Sequence, residues 1–267
     1  MRIKRFLLFL MILFLASFWW AGGTSILSVL SEKKTNLAPR VTQFAEVELP
    51  AGEVNVTGIG QRLYRIVALK TAVQSKLNTE SYVPLADIPI AMQQAIISVE
   101  DNRFYQHIGL DIEGILRATL VNMQAGAIAE GGSTITQQLV KNIFLSHDQT
   151  MGRKVEEALL SLDMELRYSK EEILEMYLNS IYFGSGAYGI GPAAQIYFGK
   201  QPADLNLAEI AMLAGLPNAP SLNSPYVDFG AAKKRQAIVL GSMVKNAYIG
   251  PSTAEEAKLT PITLAKE

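Results

Sequence analysis

The sequence has no cysteine, which excludes disulfide scaffolds, thiolate metal sites and cysteine nucleophiles. Histidine is nearly absent: His107 and His147 alone cannot build a multi-histidine zinc site. Charge of one sign is missing too, since 24 basic residues face 25 acidic ones for a formal net charge of −1. That balance gives no support for nucleic acid as a partner. No internal repeat or low-complexity tract occurs. What remains is a chain of 267 residues, long enough for one large domain or two small lobes.

Hydrophobic residues make up 49% of the chain, and they are unevenly spread. Residues 6–31 form a run of 26 without a charge, preceded by Arg2, Lys4 and Arg5 and followed by Glu32. A helix of that length spans about 39 Å, more than a hydrocarbon core of roughly 30 Å. The basic residues on its N-terminal side place the N-terminus in the cytoplasm, and Trp19 and Trp20 suit an interface belt. A cleaved signal peptide is the alternative, with small residues around Ala21 and Gly23. The apolar character resumes through Ile26, Leu27, Val29 and Leu30, which favours an uncleaved anchor. Setting aside the three leading basic residues leaves 21 basic against 25 acidic, so the remainder is mildly acidic, with formal charge −4.

Residues 44–49 and 54–56 read as short strands and 63–77 as a helix. After Pro84 the pattern becomes helical. Asp87 is placed to cap a helix with Met92, Ala95, Ile96 and Val99 on one face. Asp111 begins a second helix, whose Ile112, Ile115, Leu116, Thr119, Leu120 and Met123 share a face. Capping boxes open three more, at Thr134 with Gln137, Ser169 with Glu172, and Asn206 with Glu209. Between them, a helix carries the apolar stripe Val155, Ala158, Leu159, Leu162 and Leu166. Gly215 and Pro217 stop the helix begun at Asn206, and 229–246 is the last long helical stretch. The fold class is mainly α.

Four clusters carry candidate chemistry. In the first, Glu100-Asp101-Asn102-Arg103-Phe104-Tyr105-Gln106-His107, the leading carboxylate sits where a helix runs out. The negative end of the helix dipole disfavours its ionised form and helps tune it as a general base, although a solvated helix end has the same pattern. The second, Gly131-Gly132-Ser133-Thr134, precedes a helix whose Thr134, Gln138 and Lys141 share a face, while Ile135, Leu139 and Ile143 face the core. A glycine pair before a helix N-terminus suits an anion, and Lys141 on that face favours the anion site over an ordinary turn. In the third, Arg153, Lys154 and Glu157, the Arg precedes the Glu at i,i+4, the weaker order for plain helix stabilisation. A surface salt bridge remains the bland reading. The fourth, residues 170–179, reads as structure, with Asn179 suited to a left-handed C-cap. Two carboxylates, Glu100 and Glu157, together with anion binders beside a membrane, suggest sugar chemistry on a phosphorylated lipid.

In that order the clusters resemble the peptidoglycan glycosyltransferases of glycosyltransferase family 51, found alone or as the N-terminal domain of class A penicillin-binding proteins. Its E-D-x-x-F-x-x-H-x-G pattern is met by Glu100, Asp101, Phe104, His107 and Gly109. Its G-G-S-T-x-T-Q-Q stretch is met from Gly131 to Gln138, followed by Lys141 and Asn142. Arg153, Lys154 and Glu157 meet R-K-x-x-E, and Lys170 to Asn179 meet K-x-x-I-L-E-x-Y-L-N. One departure is visible: Arg235-Gln236 stands where the last family motif has an Arg pair, a position read as structural.

The resemblance implies a lysozyme-like helical lobe with a small membrane-proximal jaw, preceded by one transmembrane helix. The expected division is a cytoplasmic tail at 1–5, an anchor at 6–31 and a juxtamembrane segment opening the extracytoplasmic domain at 32–84. A catalytic domain at 85–247, including the jaw, and a C-terminal tail at 248–267 follow. It implies polymerisation of lipid II into β-1,4-linked glycan with inversion and release of undecaprenyl pyrophosphate. Glu100 would be the base, and Glu157 would orient the basic groups or carry charge in the donor site. Substrate binding would fall to Asp101, Phe104, His107, Ser133, Thr134, Gln138, Lys141, Asn142, Arg153 and Lys154. The implied partners are lipid II, the growing glycan strand, membrane lipid and other cell-wall synthesis proteins. The implied place is the plasma (inner) membrane, single-pass, with the catalytic domain on the extracytoplasmic face. No cofactor is required; Mg²⁺ or Mn²⁺ beside the pyrophosphate is compatible with the acidic residues but has no dedicated motif. The alternatives are a lysozyme-like glycan-cleaving enzyme and an inactive membrane-tethered scaffold. Matches to S-x-x-K at Ser31 and Ser242 lack a K-T-G partner and read as chance, with no length left for a transpeptidase.

Overall fold

The computed structural model describes residue 73 and residues 81–126, 131–145 and 151–265. All of them belong to one compact unit, Asn55–Glu267. The anchor expected at 6–31 and the strands expected at 44–49 and 54–56 lie outside the described residues. Val73, within the helix expected at 63–77, is helical and buried. Among the described residues no helix is long and apolar enough to cross a membrane.

The described part is helical, with two isolated β-bridges and no strand, so the mainly α expectation holds. In chain order the helices are α1 Ile90–Glu100, α2 Ile112–Ala125, α3 Ile135–Phe144, α4 Met151–Arg167, α5 Lys170–Ser180 and α6 Ile190–Phe198. They continue with α7 Leu207–Ala214, the single turn α8 Pro220–Asn223, α9 Phe229–Lys245 and α10 Pro251–Leu259. Reciprocal capping boxes at Thr134, Ser169 and Asn206 start α3, α5 and α7, as their spacing predicts. Each box satisfies two of the N–H groups a helix start leaves over. Helix α7 is buried from Ala208 to Ala214, and α1 and α9 pack on it and on each other. On another side α3 packs against α4 and α5. A cleft opens where the end of α1 meets the start of α3, with α2 and α9 also lining it.

Four local readings change. Asp87 closes a separate 3₁₀ turn, Leu85–Asp87, and does not cap α1. Pro89 is the residue before α1, and the residue preceding a proline is pushed to extended backbone, as Ile88 is. Asn179 is no left-handed cap: it lies in the last turn of α5 and is buried. Its amide accepts from Val83 N at 2.8 Å and donates to Val83 O at 2.9 Å, pairing with the backbone there as a strand would. One turn earlier, Glu175 accepts from Leu85 N and from the Tyr82 hydroxyl, both at 2.7 Å. Cluster four is thus structural, as read, by clasping segment 82–85.

The third change is the stripe of α4. Val155, Leu159 and Leu166 are exposed, and the buried stripe is Glu157, Leu160, Ser161 and Met164. A carboxylate and a hydroxyl interrupt the second stripe, so hydropathy periodicity selects the wrong face. Finally, 248–267 is not a plain tail. Helix α10 starts on Pro251, buries Ala254 and Ala257 and packs on α9.

Candidate active site

Helix α1 delivers Glu100 as its last residue, and its carboxylate faces a cleft of about 480 Å³. Of the residues singled out from sequence, Glu100, Asp101, Ser133, Thr134, Gln138 and Lys141 line this cleft. The side chain of Glu100 is only 7% exposed. Burial pushes its pKa above the usual carboxylate range, opposed by the Gln138 hydrogen bond and by Arg235 and Lys141, and aided by Asp101. The two carboxylate oxygens differ. Oε2 accepts from Gln138 Nε2 at 2.9 Å, and Gln138 Oε1 in turn accepts from the Tyr177 hydroxyl at 3.0 Å. Oε1 has no hydrogen-bond partner and lies 3.9 Å from Arg235 Nη2. Oε1 is therefore the carboxylate oxygen that no hydrogen bond occupies.

Asp101 builds the wall beside it. Its Oδ2 accepts from Ile135 N at 3.0 Å, capping α3 from outside the helix. Both of its oxygens lie 3.0 Å from His107 Nε2. The Thr134 hydroxyl donates to Gly109 O at 2.6 Å and accepts from Gln137 N at 3.1 Å. Gly109 adopts φ +70°, and a Cβ there would stand 2.8 Å from Ser161 O, so the motif's glycine is required where the loop touches α4. These bonds correct the expected phosphate cradle. The N–H groups of Thr134, Ile135 and Gln137 are taken by Gln137, Asp101 and Thr134. The positive helix end already faces a carboxylate.

Further site readings shift for the same reason. Phe104 is fully buried, with Lys170 stacked 4.4 Å above its ring, and the His107 ring is buried beside Asp101. Neither lines the cleft. Asn142 is exposed and does not line it either. Glu157 is 2% exposed, away from the cleft lining, and pairs with Arg153 at 3.2 Å and with Lys154. A carboxylate so enclosed is placed to hold the two cations. Lys154 Nζ also reaches Ser133 Oγ at 3.3 Å, which joins this basic pair to the cleft's rim.

Three basic lining residues were not among the candidate site residues: Arg117 on α2, and Arg235 and Lys245 on α9. Arg235 heads the motif read as structural, so the signal was present. Its neighbour Gln236 is the structural member, fully buried with Nε2 donating to Ala208 O at 2.7 Å. With Lys141, four basic side chains line the cleft. Of the carboxylates there, Asp101 is engaged as described and Asp111 pairs with Arg103 at 3.2 Å. Glu100 alone does not make a ligand set, and among the described residues no three acidic or histidine side chains gather, so the residues present do not fit a protein-held divalent cation.

The family model described as Transglycosylase matches residues 68–244. Penicillin-binding protein 1A of Aquifex aeolicus is 47% identical over 186 residues, covering 70% of this chain and 26% of that protein. Penicillin-binding protein 1F of Bacillus subtilis is 45% identical over 186 residues, covering 69% of this chain and 26% of that protein. A Cupriavidus necator protein with transglycosylase in its name is 44% identical over 187 residues, covering 70% of this chain and 80% of that protein. The chain spans about a quarter of the length of the two penicillin-binding proteins, at 26% of each.

Proposed function

The chain belongs to the transglycosylase family, and on that footing we propose that it is a peptidoglycan glycosyltransferase of cell-wall synthesis that polymerises lipid II. The family and enzyme class implied by the four motifs are both borne out. The observation that carries the reaction is the unpaired Oε1 of buried Glu100 in a cleft lined by basic side chains. In this reading Oε1 takes the proton of the acceptor sugar's 4-hydroxyl. That oxygen bonds to the anomeric carbon of the donor strand as the bond from that carbon to the lipid pyrophosphate breaks. Inversion gives the β-1,4 link, and the proton passes from Glu100 to solvent. Burial serves the base twice, by holding its pKa nearer neutrality and by strengthening each interaction in the cleft. Lys141, with Arg117, Arg235 and Lys245, neutralises the departing pyrophosphate, which is where charge develops. Glu157 holds Arg153 and Lys154 in place at the rim.

The lobe is read as lysozyme-like, and α2 as the jaw. Gly114 and Arg117 of α2 line the cleft, while Ile112, Leu116, Leu120 and Met123 on the same helix are 61–74% exposed. One helix thus offers a polar face to the reaction and an apolar face to lipid, as a lipid-linked substrate requires. An anchor at 6–31 in the inner membrane, with the domain outside, completes the arrangement. Exchanging both Leu116 and Leu120 for Ser should slow polymerisation in vesicles about 100-fold and far less in detergent micelles, since roughly 1.5 kcal/mol accompanies each buried Leu. Equal loss in both media would contradict a lipid-facing α2.

A glycan-cleaving enzyme of the same shape would need a second available carboxylate. The neighbours Asp101 and Asp111 are engaged, which favours the transferase. Purified lipid II given to the detergent-solubilised protein decides between them. Long glycan on a gel supports the polymerase; shortening of preformed glycan with lipid II untouched supports the hydrolase. Lys141→Ala should cut donor use about 100-fold, a loss of ~2.7 kcal/mol of electrostatic stabilisation, at unchanged circular dichroism.

A further inference from the structure

We propose that Tyr177 is a positioning residue for the reacting carboxylate, acting through Gln138 to decide which oxygen of Glu100 is free. The proposal rests on the reading of Glu100 as the base and adds the device that presents it.

An amide side chain has a donor end and an acceptor end of nearly the same shape, and only its partners choose between them. The Tyr177 hydroxyl stands 3.0 Å from Gln138 Oε1, and Gln138 Nε2 stands 2.9 Å from Glu100 Oε2. Turned over, Gln138 would set its carbonyl against the carboxylate and leave the phenolic O–H with no acceptor. Both penalties fall in a buried, low-dielectric place, where an unmet polar group is costly. The phenol therefore fixes the amide, the amide holds Oε2, and Oε1 is the oxygen left without a hydrogen bond. Burial first, then the charges of Glu100 and Asp101, push the Tyr177 pKa well above its usual value. Its hydroxyl thus remains a donor wherever Glu100 is ionised.

Among the described residues, groups from several elements act on Glu100. Gln138 and Lys141 come from α3, Arg235 from α9, Asp101 from the end of its own helix and Tyr177 from α5. Of these, Tyr177 touches the carboxylate only through another side chain. The ring itself is fully buried core. A residue kept only for packing would lose nothing as phenylalanine, so the hydroxyl is the part to test.

The test is Tyr177→Phe in the full chain, assayed with lipid II in detergent across pH. The expected result is a kcat about tenfold lower with KM within twofold of wild type. Loss of the fixed Gln138 donor also makes the ionised form of Glu100 less favourable. Its pKa rises, and the acid limb of the kcat profile moves to higher pH. In a Gln138→Ala background the same change should cost nothing more, because the two residues act as one unit. Wild-type kcat, a lower kcat with an unmoved acid limb, or losses that multiply in the double variant would each overturn the proposal. Should Tyr177→Phe fail to melt as a folded protein, Gln138→Ala alone must show the same displaced limb, and its absence overturns the relay. A Glu100→Gln variant that polymerises normally overturns the base itself. A silent Tyr177→Phe beside an inactive Glu100→Gln removes only Tyr177.

Discussion

Glu100→Gln is expected to lose polymerisation by 10³-fold or more and, at neutral pH, to melt at a higher temperature than wild type. The first effect follows from the role: a positioned base contributes roughly 10²–10⁴-fold, and here the free Oε1 has no substitute in the cleft. The second follows from burial. Desolvation holds the folded-state pKa of Glu100 above its unfolded value, so the folded protein binds this proton more tightly. Stability then falls as pH rises from the ordinary carboxylate range through the raised folded value, and the full cost is present above it. Gln carries no charge to desolvate and still accepts from Gln138. The gain in Tm should be roughly 2–4 °C for each kcal/mol relieved, and should vanish near pH 4, where wild type is protonated in both states. Calorimetry at pH 4 and 7.5 reads this directly. A Glu100→Gln protein that is inactive and no more stable at pH 7.5 would mean that the carboxylate is better solvated than its surroundings indicate.

Asp101→Ala should have the largest effect on stability in the site. It orphans Ile135 N at the start of α3 and removes both oxygens from His107 Nε2. These are buried hydrogen bonds to a charged group, each worth about 1.5–3 kcal/mol, and the groups left behind stay buried. A loss of ~3 kcal/mol or more lowers the Tm by roughly 6–12 °C for a domain of this size. Asp101→Asn keeps one acceptor and should lose about half as much. Thermal melts of the two variants check the order, and an Asp101→Ala protein melting within 2 °C of wild type would remove Asp101 from the frame. Activity should fall with either change, since Asp101 fixes the end of α1 against α3.

The helices were legible where polar residues mark their ends. Thr134 with Gln137, Ser169 with Glu172 and Asn206 with Glu209 place three starts, because a capping box is local chemistry. Faces were less legible. The outward stripe of α4 and its buried Glu157 and Ser161 look alike in reverse, since periodicity gives a direction without saying what lies there. The same holds for the site. Glu100, Gln138 and Lys141 were readable from motif and spacing. Arg117, Arg235 and Lys245 come from α2 and α9, remote in sequence, and only the packing of α9 on α1 brings Arg235 to Glu100. Phe104 and His107 carry the motif as strongly as Glu100 does, and a motif does not distinguish a reacting group from what holds it up.

The clasp between segment 82–85 and the last turns of α5 also sets a clock. Its bonds join residues 90–96 positions apart in the chain, so Tyr82, Val83 and Leu85 emerge from the ribosome long before Glu175 and Asn179 exist. At about 5–20 residues per second that interval is roughly 5–20 s. Throughout it the leading edge of the domain has no strand-like partner, and a nascent chain halted before Glu175 never acquires one. The clasp therefore cannot close before the helices between its two halves have been synthesised.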